Sequence, residues 1–301
     1  MTDEIFKVDF NIIMQNIRND NIEGGFMIFD NFTEKLKNYE LIAVTDFPIR
    51  LSTITIIAFC TEGYMKFNLG LKNMLISRNQ LFVILPNQII QTTEVSHDFT
   101  AGFIVIRRDF FNLQNDFMQI INLHNSLIEK SFFVLSDKEM QEQIKIFGMI
   151  KDKIRDVKNH YHRQIIQNYC QIMFYNIYNL IENDKKEEVV SQKNNAVRIY
   201  EKFIKCVEKN YRKEHNVDFY ADYLCLTPKY MAMVIHKVSG KHALQLIHEY
   251  IVLEAKALLK STDMNFKTIS DMLNFTTSSH FGRFFKQHTG YTPSEYQRLR
   301  A

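Results

Sequence analysis

The side chains best suited to chemistry in this sequence lie in the stretch 278–287, near the carboxyl terminus. On one face of the helix predicted there, small, polar and basic residues stand together. Amides and hydroxyls at the start of a helix can bind phosphate, and an arginine can donate hydrogen bonds to the edge of guanine. A helix with this face suits the major groove of DNA. The residues of the face are Ser278, Ser279, Gly282, Arg283, Lys286 and Gln287.

Aromatic residues on the opposite face predict how this helix is held. Phe281 and Phe285 are four residues apart, so they share one side of a helix and belong to a core. Gly290 predicts the end of the helix. Thr292 and Glu295 then form a capping box with proline at the first helical position, which predicts a short terminal helix that supports the preceding one.

The same arrangement occurs twice in the C-terminal part of the chain. The segment 221–226 matches 270–275 at an offset of 49, and 229–240 matches 279–290 at an offset of 50. Each copy predicts a short helix, a break and a second helix that ends at glycine, which is the pattern of a helix-turn-helix unit. Between the copies, 242–260 predicts one long helix that sets their spacing. A single polar helix face is typical of a solvated surface, but its occurrence in a duplicated unit favours DNA binding.

Charge is unevenly distributed along the 301 residues. Residues 191–301 hold 17 Lys and Arg against 10 Asp and Glu, whereas residues 1–190 hold 20 against 24. The overall net charge of +3 therefore conceals a basic C-terminal part. Such a part is compatible with nucleic-acid binding, although many enzymes also have one.

Composition also bounds the class of protein. An apolar content of 46% is sufficient for real cores, and no run of 18 apolar residues predicts a membrane span. The acidic start, Met1 to Glu4, lacks the layout of a signal peptide. The cysteines are scattered without a C-x-x-C pair, which is typical of reduced thiols in the cytoplasm. We therefore expect a cytoplasmic protein with no membrane partner.

The N-terminal part of the chain has a different residue pattern, in which short β-rich runs come first and helical spacing follows. Short β-rich runs separated by turn-prone residues recur between about residues 40 and 106, which predicts an antiparallel sandwich or barrel. Within 138–182 apolar residues recur at spacings of three and four, which predicts two helices. The polar stretch 184–195 is the expected linker between domains 1–183 and 196–301. The β-rich runs are 52–60, 64–68, 81–85, 89–95 and 102–106.

At residues 269–296 the pattern IxxxLxFxxxSHFxRFFKxHTGxTPSEY resembles the DNA-binding domain of AraC/XylS-type transcriptional regulators. The resemblance extends over about 197–300. It implies two helix-turn-helix units, bridged by a long helix, that bind successive major grooves through recognition helices at about 228–238 and 278–288. Many family members carry a cupin-like jelly-roll sensor and a helical dimerisation element before this domain, and the N-terminal pattern is similar to that plan. The expected fold class is α+β, with an antiparallel β jelly-roll followed by an all-α domain.

The resemblance also implies roles for individual residues. Base reading would involve Lys229, Ala232, Met233, His236, Ser279, Gly282, Arg283 and Gln287. Backbone contacts would involve Thr227, Tyr230, Lys237, Ser278, His280 and Lys286.

Two departures from the family pattern affect these expectations. Asn274 stands in a turn where the family often has glycine, and asparagine tolerates the left-handed conformation better than most residues. Ala232 and Met233 offer no hydrogen bonds in the first recognition helix. The first unit therefore either contacts thymine methyl groups or contributes mainly phosphate contacts, and we favour a limited readout.

The N-terminal sheet holds few groups for chemistry. Metal-binding cupins need several histidines with a glutamate, whereas residues 40–106 contain only His97, so we expect no metal, no other cofactor and no catalysis. An apolar barrel could hold a small effector. Tyr64, Phe67 and Phe82 are candidates to line it, although filling the core is their favoured role.

Together these features predict a regulator that binds specific double-stranded DNA as a homodimer and responds to an effector through its N-terminal domain. Activation is the more common outcome in the family. The resemblance allows a small-molecule effector and RNA polymerase as further partners. Two alternatives stay open: a constitutive DNA-binding regulator whose N-terminal domain only dimerises, and a cupin-type enzyme with a DNA-binding appendage.

Overall fold

A computed structural model shows two compact units, formed mainly by residues 20–188 and 195–299. The structure describes residues 20–22, 25–32, 47–51, 53–107, 110, 127, 131–156, 158–188, 195–261 and 264–299.

Two antiparallel sheets form the first unit. The larger sheet has the strand order β1-β2-β9-β4-β7-β10, and the smaller sheet has the order β3-β8-β5-β6. Strands β2-β9-β4-β7 and β3-β8-β5-β6 give the strand order of an eight-stranded jelly roll, which confirms the predicted α+β class and antiparallel sandwich. The strands are β1 (Asp20–Ile22), β2 (Phe26–Asp30), β3 (Ile49–Arg50), β4 (Ile54–Glu62), β5 (Tyr64–Leu69), β6 (Lys72–Ser77), β7 (Gln80–Ile84), β8 (Ile89–Val95), β9 (Thr100–Arg107) and β10 (Phe132–Val134).

The predicted turns lie between these strands. Gly63, Asn79 and Asn87 all have positive φ, at 65°, 61° and 68°. Glycine adopts this left-handed conformation without a side-chain clash, and asparagine does so more readily than most residues. Each residue therefore ends one strand and lets the next begin at once.

Strands β1, β2, β3, β6 and β10 have no counterpart among the predicted β-rich runs, and β2 and β6 are the longest of them. Strand β2 is almost entirely buried, so its sequence is a continuous apolar run without alternation. Strand β6 is an edge strand in which only Ile76 is buried, so the alternation of apolar and polar residues along it is weak. Both differences follow from burial that depends on distant parts of the chain.

Two helices complete the first unit, as the spacing of apolar residues within 138–182 predicts. They are α1 (Asp137–Arg155), which begins at a capping box of Ser136 and Glu139, and α2 (His162–Glu188). Both pack against one face of the larger sheet, where Phe59 and Phe147 meet with ring centroids 5.2 Å apart. The other face of that sheet shares an apolar core with the smaller sheet.

The three candidate effector residues do not line one cavity. Phe67 and Phe82 are 1% exposed and pack in the core between the sheets with their ring centroids 5.2 Å apart. Tyr64 is three positions from Phe67 on β5, so it points to the opposite face. Its hydroxyl donates a hydrogen bond to Glu94 there. The two phenylalanines therefore occupy the core, as their favoured role predicts, and an effector role for the three residues stays a prediction.

Helices form the second unit throughout its described residues. The long helix α6 contacts α3, α5, α7, α8 and α9, so it lies between the two helix-turn-helix units that the repeat predicts. The helices are α3 (Asn195–Asn210), α4 (Val217–Tyr223), α5 (Pro228–Ser239), α6 (Ala243–Ser261), α7 (Phe266–Met272), α8 (Ser278–Thr289) and α9 (Pro293–Arg298).

The predicted linker 184–195 overlaps the end of α2 and the first residue of α3. Its residues 189–194 lie outside the described part of the chain, so the proposed domain boundaries stay predictions. Among the described helices, none combines the length and the apolar character that crossing a membrane requires.

Candidate nucleic-acid interface

Helix α5 presents the first predicted recognition face. Thr227 caps the helix, because its hydroxyl accepts a hydrogen bond of 3.3 Å from the backbone amide of Tyr230. A proline at the first helical position fixes the backbone there. Met231 and Ile235 have no exposed surface and anchor the helix on its unit, and Gly240 ends it at φ 70°.

Helix α8 repeats this plan in the second unit. Thr277 is its cap and accepts a hydrogen bond of 3.1 Å from the amide of His280. Phe281 and Phe285 have no exposed surface, and Phe285 packs on Tyr296 of α9 with ring centroids 5.5 Å apart. The predicted capping box at the start of α9 is confirmed. Each recognition helix therefore has a capped start and one buried side.

The turns that precede the two recognition helices have the same backbone conformation. Cys225 and Asn274 stand at equivalent places in the repeat, with φ of 55° and 54°. The predicted tolerance of Asn274 for this conformation is confirmed. Its side-chain amide also donates a hydrogen bond of 2.7 Å to the carbonyl oxygen of Lys213, which holds the turn against the end of the α3 segment.

The predicted DNA-contacting residues occur at the start and along the outer side of each recognition helix. For base reading, Lys229, Met233, His236, Ser279, Arg283 and Gln287 are exposed, and Ala232 and Gly282 are partly exposed. For backbone contacts, Thr227, Tyr230, Lys237, Ser278, His280 and Lys286 are all exposed. Each group is accessible to a ligand, and the individual roles stay predictions.

One of these residues, His236, stacks on a histidine that immediately precedes the next helix. The ring of His236 stacks on that of His242, with centroids 4.9 Å apart and planes 4° from parallel. The imidazole of His236 is thus held at the C-terminal end of α5, beside the start of α6. This position leaves Lys229 and Met233 as the exposed predicted base readers nearer the start of the helix.

Rings and imidazoles pack α8 onto α6. Phe284 lies between Phe275 and His248, with centroid distances of 5.0 Å to each. His288 Nδ1 lies 2.8 Å from the carbonyl oxygen of Phe284 and donates to it, since a carbonyl only accepts. The Nε2 atom of His288 lies 3.2 Å from Nδ1 of His248. Burial lowers the pKa of His248, and the charges of His288 and His215 add to that effect.

A buried carboxylate joins α6 to the end of α3. Glu254 has no exposed surface, and its two oxygens accept hydrogen bonds of 2.8 Å from the Tyr211 hydroxyl and the Arg212 guanidinium. A second bond, of 2.9 Å, joins the Tyr250 hydroxyl to Glu208. These contacts satisfy polar groups inside the unit and fix the long helix against the C-terminal end of α3.

Sequence reasoning did not identify three of these positioning residues. Thr277 stands 50 residues after Thr227, so the repeat carried a signal for it. Glu254 and His248 gave no such signal, because their partners lie about 40 residues away in the chain. Among the described residues, no group of three or more His, Cys, Asp or Glu could hold a metal ion, and His97 lies in the turn before β9.

Comparison with protein families matches residues 220–299 to a family described as a helix-turn-helix domain. An uncharacterized HTH-type transcriptional regulator, YtdP of Bacillus subtilis, is 27% identical over 138 residues, which are 43% of this chain and 18% of that protein. The arabinose operon regulatory protein of Escherichia coli is 30% identical over 77 residues, 26% of each chain. The matched part of this chain thus spans less than a third of the length of these relatives.

Among solved structures, the chain is similar to unsaturated fatty acid bound ToxT from Vibrio cholerae, with 16% identity and a TM-score of 0.39. That similarity covers 93% of this chain and 97% of ToxT. This chain is also similar to an AraC-type transcriptional regulator from Chromobacterium violaceum, with 20% identity and a TM-score of 0.33. In that case 36% of this chain and 96% of the other are covered.

The imidazole pair makes the stability of the chain depend on pH. The folded state lowers the pKa of His248 below its ordinary 6.5, so at mildly acidic pH the folded chain binds fewer protons than the unfolded chain. The free energy of unfolding should therefore fall as the pH drops through 6.5 and below. His248→Gln should reduce this dependence, as measured by urea unfolding at pH 7.5 and 5.5.

The control for this experiment is His97→Gln, which removes an exposed histidine from the other unit. The role of His248 would be refuted if both variants showed the same pH dependence as the unchanged protein.

Proposed function

Since residues 220–299 form an AraC-type helix-turn-helix domain, as the sequence resemblance implies, we propose that this chain is a transcriptional regulator that binds specific sites on double-stranded DNA. The family consists of transcription regulators and not of enzymes, which argues against the alternative of a cupin-type enzyme. A regulator of this kind acts where the DNA is, so we propose a cytoplasmic location.

The observation that carries this proposal is the duplicated recognition surface. Helices α5 and α8 expose equivalent faces, begin at threonine caps and end at left-handed glycines. The backbone amides of Ser278 and Ser279 in α8 and of Lys229 in α5 can bind phosphates, and the basic side chains Lys229, Arg283 and Lys286 stand on the same exposed faces. Two such faces on one unit are suited to two neighbouring stretches of major groove.

The outer face of α2 supports a homodimer. Residues 164–181 contain no Asp, Glu, Lys or Arg, although their exposed positions recur at spacings of three and four along one side of the helix. Ile172 and Tyr175 on this side are 46% and 55% exposed. Interface centres are typically depleted of charge and rich in aromatic residues, so we propose that a second copy covers this face.

The role of the N-terminal unit distinguishes a constitutive regulator from one that responds to an effector. The buried packing of Phe67 and Phe82 favours a constitutive regulator whose N-terminal unit only dimerises. An effector that binds one arrangement of the dimer better than another would instead shift DNA affinity. A screen of metabolites for changed affinity separates these versions, and the family favours activation, with RNA polymerase as the partner.

Replacing Arg283 with Ala tests the base contact in the second unit. On a duplex selected by this chain from random DNA, the substitution should weaken binding by about 1–3 kcal/mol and relax the preference at one base pair. Random duplexes should be affected less, because they lack the guanine contact. Fluorescence anisotropy measures both affinities.

Arg298→Ala is the matched control, since it removes the same charge from α9, outside the recognition helices. An equal loss on selected and random DNA would make Arg283 a phosphate contact.

Affinity must also fall steeply as salt increases, because phosphate neutralisation releases counterions. A flat salt response of the unchanged protein would contradict DNA binding altogether.

Gly282→Ala separates folding from DNA approach in the same helix. A Cβ at Gly282 would meet nothing within 4 Å, so the substitution should stabilise α8 by about 0.5–1 kcal/mol. The added methyl group should nevertheless weaken DNA binding, because it lies on the face proposed to enter the groove. Urea unfolding and anisotropy measure the two effects.

Gly148 of α1 provides the control, since a Cβ there would also meet nothing within 4 Å. Gly148→Ala should give a similar gain in stability with unchanged DNA binding. Undiminished DNA affinity in Gly282→Ala would remove that residue from the contact surface.

Ile172→Glu tests the proposed dimer. A carboxylate at the centre of an apolar contact should weaken the dimer at least about tenfold, because burying an unpaired charge costs more than about 1.4 kcal/mol. Sedimentation equilibrium measures the association. Leu75→Glu makes the same change at another apolar residue that is 52% exposed in the same unit, and should leave association unchanged. Equal behaviour of the two variants would rule out α2 as the contact.

A further inference from the structure

Met233 occupies the same place in the first recognition helix as Arg283 occupies in the second. The two residues are 50 positions apart, which is the offset of the repeat, and both are exposed. Met233 is 57% exposed. The two units therefore present different chemistry at one structural position, an apolar thioether in α5 and a guanidinium in α8.

The exposure of Met233 has no explanation in the packing of its own unit. The buried side of α5 is formed by Met231, Val234 and Ile235, which are 0%, 4% and 0% exposed. Met233 is two residues from Met231, so it points away from that side. Single exposed apolar side chains are common on protein surfaces, so it is the place of Met233 on the recognition face, together with its neighbours, that points to a ligand.

The surroundings of Met233 are suited to a nucleic acid. Lys229 lies one helical turn before it and Lys237 one turn after it, and both are exposed. Thr227 and the backbone amide of Lys229 lie at the start of the helix, on the same end as the Lys229 side chain. Met233 thus lies between two lysines, one of them at the start of the helix. This arrangement fits the major groove, where phosphates flank the edges of the bases.

The major groove has one apolar group that distinguishes a base pair, the C5-methyl group of thymine. The methionine side chain cannot donate a hydrogen bond, and its sulfur is a weak acceptor, so it gains little from the polar edges of guanine, adenine or cytosine. It is flexible and polarisable and can pack closely on a methyl group. Ala232, partly exposed beside it, adds apolar surface.

From this chemistry we propose that the first helix-turn-helix unit specifies thymine through Met233. The inference rests on the proposed function and extends it to the kind of operator that the chain binds. Such an operator has two unlike half-sites, one with thymine opposite α5 and one with guanine opposite α8. With this assignment, the first unit contacts a thymine methyl group and does not contribute phosphate contacts alone.

The test removes the C5-methyl group from the DNA and the thioether of Met233 from the protein. A duplex selected from random DNA is made with deoxyuridine in place of thymidine in the half-site opposite α5, which deletes the C5-methyl group and leaves base pairing unchanged. The unchanged protein should bind this duplex about three- to fivefold more weakly for each contacted methyl group. Met233→Ala should bind both duplexes with equal affinity, because the partner of the methyl group is absent.

Two further variants make the assignment specific. Met149→Ala removes a methionine that is 41% exposed in the other unit, and this variant should respond to deoxyuridine as the unchanged protein does. Met233→Arg introduces the residue that the second unit carries, and selection with this variant should replace thymine by guanine at one position. Both substitutions are at exposed helical positions, and far-ultraviolet circular dichroism checks their folding.

Each outcome decides the proposal. If Met233→Ala loses affinity on deoxyuridine to the same extent as the unchanged protein, Met233 does not contact the methyl group and the inference is wrong. A selected site without thymine opposite α5, or an undiminished affinity of Met233→Ala for its site, also overturns it and favours a protein partner for this apolar face. If no duplex is selected, the proposed function itself fails.

Discussion

The burial of α6 is the constraint on which the rest of the second unit depends. Glu254 lies on this helix with no exposed surface, and the hydroxyl of Tyr211 and the guanidinium of Arg212 bind its oxygens. Removing either donor would leave a buried charge without full compensation, which is strongly unfavourable. The helix is therefore held to α3, while its contacts with α5 and α8 hold both recognition helices.

This arrangement separates positioning from readout. The residues that position α8 are buried or half-buried rings, among them Phe281, Phe285 and His248, and none of them needs to touch a ligand. The exposed faces are free to differ, and they do so most clearly at Met233 and Arg283. One duplicated framework can thus present apolar chemistry in one groove and hydrogen-bonding chemistry in the next.

Local patterns predicted much of this molecule. The capping box at Thr292, the turn at Asn274 and both recognition helices follow from neighbouring residues, so the sequence reveals them directly. The buried strand β2 and the edge strand β6 do not, because their burial depends on distant strands and helices. The same reason explains why the partners of Glu254 could not be predicted. Tyr64 and Phe67, in contrast, lie three positions apart on β5, and strand alternation alone places them on opposite faces.

The central claim is that α6 holds two DNA-reading units at a fixed separation. The most direct test is to select fragments from random DNA with the full chain and to measure the distance between conserved half-motifs in the selected pool. A fixed spacing near one helical turn, about 10 base pairs from centre to centre, is the result expected of two rigidly joined recognition helices. A single half-motif, or two half-motifs at variable spacing, would contradict it.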